Sequence, residues 1–181
     1  MNRDRETGLI EECRRGNRQA LGALIKEYQR PVFNAVYRML GNPDGAADVT
    51  QTAFLKALEN IRNYDPNFKF FSWVYRIAIN EAIDHIERAR RFAPLPDSPL
   101  VASDDAAVGA ARVQANDRLQ VALMSLTEDF RAVIVLHYFT GLSYDEIGNI
   151  LDVPGKTVKS RLFTARRRLR ERLEAEGVFS S

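Results

Sequence analysis

The chain has little cysteine, little histidine and no long apolar run. A single cysteine, Cys13, among 181 residues excludes an internal disulfide. It reads as a small residue on the inner face of a first helix. His85 and His137 are the only histidines, and neither has a Cys or a second His at metal-ligand spacing. His85 beside Asp84 reads as a helix-surface residue. Enzymatic, metal and cofactor readings therefore fail on inventory, and no small-molecule substrate is expected. No stretch approaches the roughly 18 apolar residues of a membrane span. The opening MNRDRETGLIEECRRG lacks the apolar core of a signal peptide, so a cytoplasmic protein is expected. What remains is 45% hydrophobic and 28% charged, the balance of a folded, helix-rich domain.

The net charge of +2 conceals a segregation. Residues 116–155 carry Arg118 and Arg131 against Asp117, Glu128, Asp129, Asp145, Glu146 and Asp152. Residues 156–172 carry Lys156, Lys159, Arg161, Arg166, Arg167, Arg168, Arg170 and Arg172 against Glu171 alone. One end of the molecule thus has a local positive field.

Apolar residues recur at three and four rather than two, so the expected fold is all-α. A first helix fits residues 4–15, stopped by Gly16. Asn17 caps a long helical stretch to Leu40, closed by Gly41, with a kink or restart expected at Pro31. Asn42 and Asp44 can cap the next helix, to about Ile61. A loop, NYDPNFKF, precedes a helix that runs to about Arg91. Residues 93–111 hold three prolines, three acids, no basic residue and no aromatic, and read as a linker. Helical pattern resumes near Arg112, with Thr127 as a cap. Ser143 and Glu146 form a capping box, S-x-x-E, that opens YDEIGNIL. The expected layout is two small helical domains, 1–92 and 112–181, joined by that acidic linker.

A short capped helix, a turn at Asp152–Gly155 and a long basic helix make a helix-turn-helix. At about 100° per residue, Val158, Leu162, Ala165, Leu169 and Leu173 fall on one apolar stripe. Opposite lie Lys156, Ser160, Phe163, Thr164 and Arg167. Lys159, Arg161, Arg166, Arg168 and Arg170 lie on the flanks. Such a helix meets base edges with its first turns and phosphates with its later arginines. A solvated helix or an anionic-membrane binder is the alternative, but the stripe is narrow and lacks Trp. Gly-Lys-Thr at 155–157 resembles the tail of a phosphate-binding loop. The glycine spacing is wrong for one, and no strand precedes it.

Six aromatics lie between Tyr64 and Tyr75, interleaved with Lys69 and Arg76. Rings beside cations suit single-stranded nucleic acid, where bases stack and phosphates need counter-charge. Core packing is the competing role. Trp73, Ile77 and Phe71 fit the core, while residues 65–70 are expected to present a pocket. In DVTQTAFLKALENI, Val49, Ala53 and Leu58 point inward. Asp48, Gln51, Thr52, Lys56 and Glu59 point outward, as a solvated face or a docking surface.

Three motifs in order resemble the bacterial sigma factors of the extracytoplasmic function group, in the sigma-70 family. They are DVTQTAFLKALENI, FKFFSWVYRIAINEAIDHIERARR and GLSYDEIGNILDVPGKTVKSRLFTARRRLRERL. The resemblance spans about residues 8–173. It implies a factor that binds core RNA polymerase and promoter DNA, with an anti-sigma factor as a further partner. It implies polymerase docking through Asp48, Gln51, Thr52, Leu55, Lys56 and Glu59. Minus-ten capture of a flipped base falls to Asp65, Asn67, Phe68, Lys69 and Phe70 with Asn80 and Asp84. Phosphate contacts fall to Arg76, Arg88 and Arg91. Reading of the minus-thirty-five duplex falls to Lys156, Thr157, Lys159, Ser160, Arg161, Phe163, Thr164 and Arg167. The acidic linker would run toward the RNA exit channel.

Three positions depart from the family pattern. Thr52 stands where Glu is usual in the docking helix. Lys156 stands where Gly often precedes the recognition-helix Thr, and it places a cation at a helix N-terminus against the macrodipole. Asp152 stands where the first helix usually closes on Gly. Two other readings remain open at this point: a stand-alone duplex-binding regulator, and a decoy that only binds an anti-sigma factor. The aromatic loop weighs against the first, since a duplex reader does not need it.

Overall fold

The structure, a computed structural model, describes residues 3–92 and 110–175. Among these, every regular element is helical. The N-terminal domain holds α1 (Arg3–Arg14), α2 (Arg18–Leu40), α3 (Pro43–Glu59), a 3-10 turn (Ile61–Asn63) and α4 (Phe70–Phe92). The C-terminal domain holds α5 (Ala110–Met124), α6 (Glu128–Ile134) continuing into a π turn (Val135–Phe139), α7 (Tyr144–Leu151) and α8 (Gly155–Ala175). The linker expected at 93–111 lies outside the described residues, except that α5 has already begun at Ala110. No helix among the described residues is long and apolar enough to cross a membrane.

The caps are largely those the side chains dictate. Asn17 accepts from the amides of Gln19 and Ala20, and Asn42 from those of Asp44 and Gly45. Each satisfies orphan donors of a first helical turn. At α7 the box is reciprocal: the Ser143 hydroxyl accepts from the Glu146 amide, and the Glu146 carboxylate accepts from the Ser143 amide at 2.9 Å. Thr127 sits at the N-cap of α6, but its side chain makes no capping bond.

The restart expected at Pro31 does not occur. One α-helix runs from Arg18 to Leu40. Pro31 is exposed, whereas Val32, Ala35, Val36 and Met39 are buried. The missing donor falls on the solvent-exposed face, and the buried face holds the helix together. Cys13 is buried as expected, and burial raises its thiol pKa above the ordinary value. The inward face of α3 consists of Val49, Thr50, Ala53, Phe54 and Ala57, with Leu58 only half-buried.

The two domains pack against each other, with α5 on α2 and α7 on α4. Arg131, 4% exposed, is one of the ties. Its guanidinium donates to the carbonyls of Leu123, Met124 and Leu126 at 2.8–3.0 Å, and across the interface to the Met39 carbonyl. A planar fork of five donors suits this cluster of carbonyls at the ends of two helices. Desolvation lowers the Arg131 pKa, the cost of placing the cation there. Beside it, the buried Gln120 donates to the carbonyls of Tyr37 and Arg38, and accepts from Arg38 at 3.0 Å. Gly41 closes α2 at φ 70°, and a Cβ built there would lie 2.9 Å from the Met124 sulfur. Both the left-handed turn and the close approach require glycine.

Candidate nucleic-acid interface

The loop at residues 64–69 is ordered by its own side chains. Tyr64 is buried, and its hydroxyl donates to the Phe68 carbonyl at 2.6 Å. The Asp65 carboxylate accepts from the Asn67 amide at 2.9 Å, and the Asp65 carbonyl from the Phe68 amide at 3.2 Å. This is the local turn chemistry of Asp. Phe68 is thereby held at both its amide and its carbonyl, while its ring is 52% exposed. An exposed ring on a fixed backbone is a stacking platform.

Phe70 corrects the expectation. It is 3% exposed and packs edge-on against Tyr64 at 5.5 Å and beside Trp73 at 5.7 Å. A ring enclosed in that way cannot accept a base. It opens α4, where the helical period turns it into the core. Trp73, Phe71 and Ile77 are half-buried, and Tyr75 is fully buried. Arg76, Asn80, Asp84 and Arg88 are all exposed, four residues apart along one face of α4. The Arg88 Nε donates to the Asp84 carbonyl at 3.1 Å, and Arg91 pairs with Glu87 at 3.5 Å. Asp65, Asn67 and Lys69 are also exposed.

The second candidate reader is the helix-turn-helix. Asp152 closes α7 at φ 54° and ψ 45°, the only positive φ outside glycine among the described residues. Asp tolerates this region better than most residues. The turn therefore keeps its shape where a glycine is usual. Gly148 is indispensable to it: a Cβ there would lie 2.6 Å from the Val153 carbonyl. On α8, Val158, Leu162 and Ala165 are buried, and Leu169 and Leu173 are half-buried. The stripe read from the sequence is the packed face. Lys156, Lys159, Ser160, Phe163 and Arg167 are exposed, with Phe163 at 64%. Thr157, Arg161 and Thr164 are half-buried.

Arg161 is not a free flank residue. It pairs with Asp129 of α6 at 2.8 Å. Arg168 lies over the Phe130 ring at 4.7 Å, and Arg167 faces Glu171 at 3.8 Å. A cation held by an acid is oriented, and it offers fewer donors to a phosphate or base.

On α3, Asp48, Gln51, Leu55, Lys56 and Glu59 are exposed, and Thr52 is half-buried. Leu55 shows 53% of its surface. Lys56 already pairs with Glu81 of α4. Beside this face, α2 and α3 enclose an apolar groove of about 530 Å3 lined by Leu21, Ile25, Phe33, Phe54, Leu55 and Leu58. The α2 side of this groove is not part of the docking set read from the sequence.

The loop and the helix-turn-helix face each other across a cavity of about 490 Å3. Asp65, Phe68, Trp73 and Arg76 line one wall, and Asn149, Asp152, Val153 and Pro154 line the other. The Ser72 hydroxyl beneath it is buried without a partner. Lys69 pairs with Glu146 across the gap at 2.8 Å, and Arg90 pairs with Glu128 at 2.5 Å. The Lys69 hydrogen bond is the main reason that the Glu146 carboxyl titrates below its ordinary value. Sequence reasoning missed Arg14, Gln120, Asp129 and Arg131. Arg131, one of two basic residues in the acidic stretch 116–155, was the one visible signal.

Comparison with known proteins agrees with this architecture. The family model for Sigma-70 region 2 matches residues 24–92, and that for Sigma-70 region 4 matches residues 122–171. The chain is 34% identical to the ECF RNA polymerase sigma factor SigW of Bacillus subtilis (strain 168), over 91% of this chain and 94% of that one. The solved structure of CnrH in complex with the cytosolic domain of CnrY is similar, with a TM-score of 0.73 at 26% identity over 96% of this chain and 99% of that one. The sigma factor RpoE of Bartonella quintana, solved in complex with the anti-sigma factor NepR, shares the fold, with a TM-score of 0.66 at 21% identity over 84% and 97%. The chain belongs to the extracytoplasmic function sigma factors of RNA polymerase, in the sigma-70 family.

Proposed function

We propose that residues 1–92 bind core polymerase and capture the melted minus-ten strand, and that residues 112–181 read the minus-thirty-five duplex. The observation that carries this reading is the pairing, on one chain, of an exposed Phe68 on a hydrogen-bonded loop with an exposed basic face of α8. The captured base stacks on Phe68, with Asp65, Asn67 and Lys69 around it. Arg76, Asn80, Asp84, Arg88 and Arg91 follow the strand along α4. A preformed loop offsets the few kcal/mol that flipping a base costs. On α8, Lys156, Thr157, Lys159, Ser160, Phe163, Thr164 and Arg167 face the major groove, and Arg161 is aimed by Asp129. A phosphate at Lys156 would relieve the cation at that helix N-terminus. The polymerase takes the face of Asp48, Gln51, Thr52, Leu55, Lys56 and Glu59 together with the adjoining apolar groove.

The two readers cannot serve a promoter while they share one cavity. Elements about 25 base pairs apart lie on the order of 80 Å apart along B-DNA. Lys69 and Glu146 are 2.8 Å apart. Promoter engagement therefore separates the domains, and the packed arrangement is the resting one. CnrH carries the cytosolic domain of CnrY in its solved complex. We propose that an anti-sigma partner of this chain favours its packed arrangement. The site of action is the cytoplasm, where the polymerase works, and the protein contributes binding rather than catalysis.

Run-off transcription with purified core polymerase, followed by mapping of the start sites, tests the proposal. Initiation should depend on both elements. A chain that binds a palindromic duplex tightly but not core polymerase would overturn the reading.

A further inference from the structure

Helix α1 precedes the residues that match region 2, and nothing so far gives it a task. It is tied to the base-capture loop at both ends. At its C-terminus, Arg14 reaches across to the start of the loop. The guanidinium donates to the Tyr64 carbonyl at 2.5 Å and to the Ile61 carbonyl at 3.3 Å. It also sits 5.9 Å from the centre of the Tyr64 ring. Glu11 holds its other edge at 2.8 Å. Near the N-terminus of α1, Glu6 accepts from the Tyr28 hydroxyl. The Tyr28 ring in turn packs 5.8 Å from Phe70, the residue that ends the loop. Ile10 and Cys13 anchor the helix in the core between these contacts.

The relay from Arg14 to the exposed ring is short. Arg14 fixes the Tyr64 backbone and ring, and Tyr64 fixes the Phe68 carbonyl at 2.6 Å. Phe68 is the ring offered to solvent. A platform that stacks a flipped base must stand ready before the base arrives, because ordering it afterwards would add to the cost of flipping.

We propose that Arg14 is a positioning residue for minus-ten base capture, acting through Tyr64 to set the Phe68 platform. The inference rests on the assignment of residues 64–69 to that capture. Arg14 touches no DNA in this scheme. Lysine does not replace it, since a point charge on a flexible stem cannot bridge two carbonyls as a planar fork does.

The test uses the full chain bound to core polymerase and fork-junction DNA. Binding is measured with a base, and with an abasic residue, at the flipped position. Charge-assisted hydrogen bonds of this kind are worth about tenfold or more in an equilibrium. Arg14→Gln should therefore lower the ratio of base to abasic binding by about tenfold, with core affinity and minus-thirty-five duplex binding at wild-type level. Arg14→Lys should not restore the ratio. Tyr64→Phe keeps the ring and removes the bond to the Phe68 carbonyl, so it should show the same loss in milder form. Equal weakening on base-containing and abasic DNA would mean that Arg14 merely supports folding, and would overturn the proposal. An unchanged ratio in Arg14→Gln would overturn it too. Phe68→Ala separates the two levels. If Phe68→Ala abolishes the preference for a base while Arg14→Gln does not, only the positioning role fails. If Phe68→Ala also leaves the ratio intact, the assignment of the loop fails and the proposal falls with it.

Discussion

The two proposed readers would solve one problem by opposite means. The C-terminal reader is a helix, and its outward side chains follow from the period of α8 once Val158, Leu162 and Ala165 are packed. The N-terminal reader is a loop without regular structure of its own. Its shape is imposed by Tyr64 and Asp65 within it and by Arg14 outside it. The helix is robust because its backbone bonds are internal. The loop is conditional, because each of its fixing contacts is a single replaceable side chain. Duplex recognition tolerates a rigid rod, whereas capture of an extruded base needs a cup.

Four changes test this contrast. The largest effect is expected at Arg131, which ties the two readers together. Arg131→Met leaves four carbonyls short of a donor, three of those bonds being buried, and should cost about 3–5 kcal/mol of stability. Urea denaturation should show one transition in the wild type and two in the variant, as the domains uncouple. Next is Phe68→Ala, which should weaken minus-ten single-strand binding by about 1–3 kcal/mol, the worth of one stacked base. Binding to the minus-thirty-five duplex should not change, and titration of the two DNAs separately would show it. Third is Lys156→Ala. It should lower the slope of duplex affinity against salt by about one counterion and leave single-strand binding alone. A salt series on both DNAs measures this.

The smallest effect concerns the bridge between the readers. Lys69 is largely exposed, so its pair with Glu146 should be worth about 0–1 kcal/mol. The folded Glu146 pKa is depressed. Its contribution is therefore present above the unfolded carboxylate pKa and is lost as pH falls through the lower folded value. Domain separation followed by fluorescence should rise slightly on acidification through that window. Glu146→Gln should flatten that response.

Most of the helical framework was legible because local chemistry determines it. Asn17, Asn42 and the Ser143–Glu146 box set helix starts, and Gly41 set an end. The apolar stripe of α8 needed only its period. What was not legible depends on long-range contacts. Phe70 looked like another ring in an aromatic loop, and only the start of α4 turns it inward. Arg14 lies about 50 residues in sequence from the carbonyls it holds, beyond the reach of any spacing rule. Arg131 and Asp129 stand on one short helix, yet one is buried among carbonyls and the other aims Arg161. Pro31 shows the reverse error, where a strong local rule yields to burial on the opposite face.

On the proposed assignment, two readers packed together at rest part to engage one promoter. The most direct test is a spin-label distance between Arg62→Cys and Asn149→Cys in a Cys13→Ala background. Both labelled positions are exposed, one in each domain. The free chain should give a short, narrow distance distribution. The complex with core polymerase and promoter DNA should lengthen it by tens of ångströms, the scale set by the spacing of the two elements. The same short distance in both states would contradict the account.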